Sequence, residues 1–205
     1  MSLWVIVPVK PLEEAKSRLA GVLSASKRSA LARTLLENTL KVLAAADAVE
    51  RVLVVSRDPT VLALARAAGA DALLENGPPE LNASLEFATR FAREHGASST
   101  LALPADLPLV TAQDIQALVG SALAEACMVI APDRRREGTN ALLTRPPGII
   151  PYCFGAGSFS RHLRQAHQRG IRVEICTREG FALDIDLPED LEYLESGSLD
   201  SRQGL

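Results

Sequence analysis

Two aspartates one residue apart, Asp184 and Asp186, form the most chemically informative pattern in the sequence. On an extended segment alternate side chains point the same way, so both carboxylates share one side and Ile185 takes the other. Such a pair repels itself and is either well solvated or neutralised by a cation. Magnesium suits the second case, because it takes hard oxygen ligands, usually one or two carboxylates, and completes its shell with water and substrate phosphate. Two solvent-facing acids beside a turn fit the same pattern. Asp106 favours the metal, since it follows the apolar run from Thr100 to Leu103, where an open α/β sheet places its active groups. Standing alone between Pro104 and Pro108, it would serve equally as a turn or cap residue. Lys10, Lys16 and Arg18 lie in the polar segment after the first apolar run, which brings three cations within reach of a polyphosphate from one loop.

Two other segments combine glycine with hydroxyl or amide groups: Glu137-Gly138-Thr139-Asn140 and Phe154-Gly155-Ala156-Gly157-Ser158. Backbone N–H groups exposed in such turns, with a helix opening near Ser158, make an anion pocket, although turns also want glycine for their own sake. His162 follows four residues later and either lines that pocket or packs beneath it, whereas His95 and His167 show no metal spacing. A P-loop is excluded, because no G-x-x-x-x-G-K-[ST] occurs, and no G-x-G-x-x-G follows the first apolar run.

The elements that must position these residues alternate. The run from Leu3 to Val9 reads as a strand buried on both faces, and helical spacing of Leu36, Leu40 and Leu43 predicts a helix near 27–46. Arg51 to Ser56 is a second strand; Asp58-Pro59 then caps and opens a helix ending at Gly69. A third strand covers Ala70 to Leu74, and Asn76 to Pro79 is a loop. Leu81, Leu85, Ala88 and Ala92 mark one face of the next helix. After the strand from Thr100 to Leu103, Thr111 and Asp114 form a capping box, and Met128 to Ala131 is again a strand. Strands at Asn140 to Thr144 and Arg172 to Ile175, with helices at Ser158 to Arg169 and Pro188 to Glu195, complete the chain. This alternation predicts one α/β domain over 1–196, a mostly parallel sheet with helices on both faces, and a disordered tail over 197–205.

Bulk properties narrow the function classes. A chain of 205 residues suits one domain, and 47% hydrophobic residues with a net charge of −3 lack the positive excess of a nucleic-acid binder. Cys127, Cys153 and Cys176 are odd in number and far apart, which suits neither a disulfide framework nor a zinc site but reduced thiols in the cytoplasm. No apolar run is long enough to suggest a membrane span. The oligomeric state stays open, a homodimer included.

Taken in order, Pro8-Val9-Lys10-Pro11, Lys16-Ser17-Arg18-Leu19, Asp106-Leu107-Pro108, Gly138-Thr139-Asn140, the stretch from Phe154 to His162 and that from Asp184 to Leu191 resemble the CofC/FbiD family. These are guanylyltransferases of coenzyme F-420 (deazaflavin) biosynthesis acting on 2-phospho-L-lactate or phosphoenolpyruvate, and the likeness spans Val5 to about Leu194. It implies a GT-A-like (Rossmann-like) nucleotidyltransferase fold, with Mg2+ as cofactor, and with GTP and a small phosphorylated carboxylic acid such as 3-phosphoglycerate or either of those two as substrates. It further implies that Asp106, Asp184 and Asp186 hold metal, that Lys10, Lys16 and Arg18 hold the GTP phosphates, and that Asn82 and Ser84 lie near the nucleoside. Thr139, Gly155 and Ser158 would bind the acceptor, while Arg134-Arg135-Arg136 stands where many relatives look glycine-rich. Other readings of the same residues are a cytidylyl- or sugar-phosphate transferase on this fold, or a non-catalytic GTP-binding regulator.

Overall fold

Strand β1 (Leu3–Pro8) shows why the sheet is covered on both sides: Leu3, Val5 and Val7 enter one hydrophobic core while Trp4 and Ile6 enter the other. The structure, a computed structural model, describes residues 2–77 and 80–200, with side chains through residue 194. Beside β1 lie β2 (Arg51–Ser56), β3 (Asp71–Leu74), β4 (Ser99–Ala102), β5 (Cys127–Pro132), β6 (Thr139–Arg145) and β7 (Arg172–Ile175). Among the described residues they form one sheet in the order β3-β2-β1-β4-β6-β5-β7. Every strand runs in one direction except β6, which is antiparallel to both β4 and β5. The carboxyl ends of the parallel strands and the start of β6 therefore meet at the same edge of the sheet.

The first core is closed by residues of α1 (Ala25–Ala44), α2 (Pro59–Ala67), α4 (Ala112–Gly120) and the short α6 (Glu179–Ala182). The second is closed by α3 (Leu81–Glu94) and α5 (Ser158–Gln168), with Leu85, Ala88, Ala92, Phe159 and Ala166 facing the strands. A smaller cluster of Leu19, Leu35, Leu183 and Ile185 ties the loop after β1 to the segment preceding α7 (Pro188–Asp200). The expected α/β architecture, mostly parallel with helices on both faces, is the one observed.

Local signals act as anticipated at two helix starts. Asp58 Oδ1 accepts from Thr60 N at 2.8 Å ahead of Pro59, and Thr111 and Asp114 make both bonds of a capping box. Asp114 also pairs with Arg178, and a Cβ placed on Gly180 would lie 2.1 Å from Asp114 Oδ2, so α6 can approach α4 only with glycine there.

Three expectations need correction. Leu81, expected on the buried face of its helix, is 36% exposed, because the first turn of α3 overhangs the cleft instead of the core. Helix α1 begins at Ala25, earlier than the apolar spacing suggested, because Ser24 accepts from Lys27 N and caps it. Helix α7 continues to Asp200, past the expected Glu195 and into the stretch read as disordered. Ser196-Gly197-Ser198 are weak helix formers, but a helix already nucleated gains one hydrogen bond for each further residue. The rest of the expected tail, 201–205, lies outside the described residues, as do Pro78 and Pro79 of the expected loop.

Candidate active site

A cleft of about 820 Å³ runs along the edge where β1 to β5 end and β6 begins. Lys10, Lys16, Arg18, Ser84, Asp106, Thr139, Gly155, Ser158, Asp184 and Asp186 all line it, so one concavity collects residues far apart in sequence. Asn82 stands apart from that set: its amide accepts from Phe154 N at 2.7 Å and donates to Phe154 O at 3.4 Å. These bonds tie α3 to the turn that begins at Phe154.

At one end of the cleft three carboxylates converge. Asp106 follows β4 and two prolyl-flanked turns hold it, while the backbone N–H of Ile185 donates to Asp106 O at 3.1 Å and so draws the second acidic segment alongside. Ile185 is fully buried among Leu19, Leu35 and Leu183, which turns its neighbours Asp184 and Asp186 into the cleft, as alternation requires. Asp190 holds the following turn by accepting from Asp186 N and Leu187 N, and is itself paired with Arg134 at 3.0 Å.

Lys16 sits among the acids. Its Nζ lies 2.9 Å from Asp106 Oδ2 and 3.3 Å from Asp186 Oδ1, and its side chain is only 9% exposed. The backbone there is left-handed, with φ of 54°, which sends the side chain back across the cleft. Burial opposes the ammonium charge, but Asp106 and Asp186 more than offset this and raise its pKa above the ordinary lysine value. Arg18 reaches Asp186 from solvent at 3.3 Å, while Lys10 stays exposed at the rim. Three carboxylates against Lys16 and the solvent-screened Arg18 leave excess negative charge. Asp184 carries the effect: burial, then Asp106 and Asp186, push its carboxyl up to about 6, against the bond from Asn140 Nδ2 at 3.3 Å and one from its own backbone N–H.

The other end is built from neutral groups and one guanidinium, Arg161, which donates to the carbonyls of Cys153, Phe154 and Ala156. His162 is fully buried, its Nε2 accepts from Cys153 N at 3.1 Å, and its proton therefore resides on Nδ1, which donates to Thr139 Oγ1 at 3.1 Å. Burial first, and Arg161 second, depress His162 to about 4, so the ring stays neutral near pH 7. The Thr139 hydroxyl hydrogen is left to donate to whatever enters the cleft. Ser158, at the first position of α5, is 1% exposed, and its Oγ has no partner among the described residues although it lines the cleft. Gly155 and Gly157 adopt φ of 109° and 70°, a left-handed backbone that ends the turn at the amino terminus of the helix. The N–H groups of Ser158 and Phe159 are already taken by Gly155 O at 3.0 Å and Glu137 O at 3.2 Å, so what the helix start offers an anion is the unused Ser158 hydroxyl in the favourable field of the helix.

The model of the family described as "Guanylyl transferase CofC like" matches residues 3–198. The chain belongs to the CofC-like guanylyl transferase family. It is 50% identical over 196 residues to the phosphoenolpyruvate guanylyltransferase of Rubrobacter xylanophilus, covering 96% of this chain and 95% of that one. It is 36% identical over 191 residues to the 2-phospho-L-lactate guanylyltransferase of Methanothermobacter thermautotrophicus, covering 93% and 83%. Among solved structures, a nucleotidyl transferase from Methanothermobacter superposes with a TM-score of 0.69 over 98% of this chain and 99% of that one, at 17% identity, a likeness of fold. This CofC-like chain is thus a nucleotidyltransferase of GT-A-like fold.

The acidic end of a CofC-like cleft can be tested for fit to a divalent cation. Among the described residues no three acidic, imidazole or thiol groups are yet gathered as a formed metal cage. The chemistry nevertheless suits a hard cation: the donors are all carboxylate oxygens, an ammonium already sits between two of them, and the pKa of the third is raised by burial and then by its two acidic neighbours. Glu75, Asp133 and Asp190 were not singled out from sequence. Glu75 and Asp133 line the cleft and Asp190 braces the acidic turn. Only Asp190 left a trace in the sequence, as an acid in the first turn of a predicted helix.

Proposed function

We propose that the protein transfers the GMP moiety of GTP to a small phosphorylated carboxylic acid, phosphoenolpyruvate first among 2-phospho-L-lactate and 3-phosphoglycerate, with release of pyrophosphate. The observation that carries this reading is the pairing, in one cleft, of a carboxylate cluster short of positive charge with a pocket of unused donors about Thr139 and Ser158. Phosphoenolpyruvate leads because the relative at 50% identity bears that name. The product then serves coenzyme F-420 biosynthesis in the cytoplasm.

An acceptor phosphate oxygen attacks the α-phosphorus of GTP as the bond to pyrophosphate breaks. The phosphate is already ionised at neutral pH, so no side chain need act as a general base; the protein's task is to align two polyanions. Asp106, Asp184 and Asp186 would hold Mg2+, which when bound neutralises the phosphates and stabilises the charge on the leaving pyrophosphate. Lys10, Lys16 and Arg18 would hold the triphosphate, Lys16 leaving its carboxylate partners to do so. Thr139 donates its free hydroxyl, and Ser158 with the backbone at Gly155 completes the acceptor pocket.

The test is a magnesium-dependent pyrophosphate-release screen of the three acids against all four nucleoside triphosphates. GTP with phosphoenolpyruvate is expected to give the highest rate. Turnover with CTP or with a sugar phosphate would move the protein to another branch of its fold, and GTP binding without pyrophosphate from any acid would make it a regulator.

A further inference from the structure

We propose that Glu75 selects the guanine base, an inference that rests on the nucleotidyl-transfer reading above. Glu75 directly follows β3 and is held at the sheet edge by its backbone N–H, which donates to Ser56 O at 3.0 Å. Its side chain lines the cleft, yet the residue is only 9% exposed. A carboxylate so far from bulk water ordinarily has a cationic partner. Among the described residues Glu75 has none: its one side-chain bond is from Ser84 Oγ, 2.5 Å from Oε1, and no donor reaches Oε2. A carboxyl group with one oxygen free of donors and lining the cleft is shaped for a ligand that donates hydrogen bonds.

Position identifies the part of the nucleotide it meets. Strands β1, β2 and β3 are parallel neighbours, so their carboxyl ends line up along one edge. The phosphate-binding cations follow β1 and the acids follow β4, with the acceptor pocket beyond them at the start of β6. A nucleotide whose reacting phosphate faces that pocket must extend the other way, over β2 and β3. The end of β3 lies two strand spacings, roughly 10 Å, from that of β1, the reach of a nucleoside. Leu81, 36% exposed, lines the cleft nearby and offers apolar surface for a flat ring.

Among the common bases, guanine alone presents two adjacent donors on its pairing edge, N1–H and the exocyclic N2–H. A carboxylate accepts both in parallel with charge assistance. Adenine and cytosine place a ring acceptor where N1–H would be and meet Glu75 with repulsion, while uracil flanks its one donor with two carbonyls. Ser84 is the positioning residue: its hydroxyl, shared between Glu75 Oε1 and Glu80 O at 2.9 Å, anchors one carboxylate oxygen.

The experiment compares wild type with Glu75→Gln, with Glu75→Asp as a second variant should the first not fold. Equilibrium binding and pyrophosphate release with phosphoenolpyruvate are measured for GTP, ITP, which lacks the 2-amino group, and 2′-deoxy-GTP. Glu75→Gln is expected to weaken GTP roughly 10- to 100-fold, the loss of charge-assisted hydrogen bonds, and ITP less, so that the GTP/ITP preference falls toward unity. The GTP/2′-deoxy-GTP ratio should stay unchanged. Glu75→Asp, with its carboxylate withdrawn, should lower the same preference in part. An unchanged GTP/ITP ratio in a folded variant would overturn the inference, and so would a loss confined to the 2′-deoxy comparison, which would make Glu75 a ribose ligand. If wild type binds GTP but releases pyrophosphate with none of the acids, the transfer reading fails instead, and the binding ratios still decide the role of Glu75.

Discussion

The two ends of the cleft are organised by opposite physics. Around Asp106, Asp184 and Asp186 charge is left unbalanced, and a buried lysine stands between two of the three acids. Around Thr139 and Ser158 no acids are in conflict: the Arg161 guanidinium is held by carbonyls of the Phe154–Gly157 turn, and a neutral imidazole locked by two hydrogen bonds aims a hydroxyl. On the proposed reading the acidic end would rearrange as a cation and triphosphate bind, whereas the other end is preorganised. A site that brings two anions together gains from this division, because only one partner has to be met by moving parts.

The largest effect should come from breaking the acidic end. Asp106→Asn or Asp186→Asn is expected to lower pyrophosphate release by at least about 10³-fold, as loss of the electrostatic core of such a site does, with an unchanged circular dichroism spectrum. Near-normal turnover in a folded variant would remove the metal role.

The neutral end should respond in binding. Ser158→Ala is expected to raise KM for the acceptor by about 10-fold, one charged hydrogen bond, while the affinity for GTP stays as in wild type. Equal losses for both substrates would show that the two ends are not separate.

Titration separates them further. The His162 pKa is depressed from 6.5 to about 4 on folding, so the stability it contributes is present above pH 6.5 and is lost as pH falls through that window. The loss is on the order of 3 kcal/mol between pH 7 and 4, and His162→Gln should flatten that part of a urea-denaturation profile. Asp184 has the opposite sign. Its carboxyl is raised from 3.8 to about 6, so ionising it costs stability as pH rises from 4 to 6. Asp184→Asn, able to keep the bond from Asn140, should be the more stable protein at pH 8 by about 1 kcal/mol after allowance for solvent screening, with the advantage gone near pH 4. Wild type exceeding the variant at pH 8 would mean that the acids are not in conflict.

Much of this arrangement was legible because it depends on local rules. The alternation of Asp184, Ile185 and Asp186, the capping of α2 and α4, and the apolar strands follow from periodicity and side-chain reach. What stayed hidden depends on which distant groups meet. Lys16 read as a phosphate ligand; only its left-handed backbone and the approach of Asp186 reveal it as the internal counter-ion of the acids. The family resemblance implies that Asn82 lies near the nucleoside, and the structure adds what sequence could not show, a pair of bonds from its amide to the backbone of Phe154. Nothing around Glu75 in sequence marks it, since its interest lies in being buried without a cation. Leu81 misled because helical spacing cannot tell a core from an overhang.

The lone reversed strand has one more implication. Because β6 enters the sheet from the edge where its neighbours leave, Thr139 and Asn140 are delivered by a tight hairpin from β5, braced where Glu137 N donates to Asp133 Oδ1 at 2.8 Å. On the proposed assignment, the Thr139 side of the acceptor pocket would be carried on a short module that could be exchanged, while Gly155 and Ser158 belong to the α5 turn. Transplanting residues 133–138 between relatives that differ in acid should shift acceptor choice and leave the triphosphate half as it was.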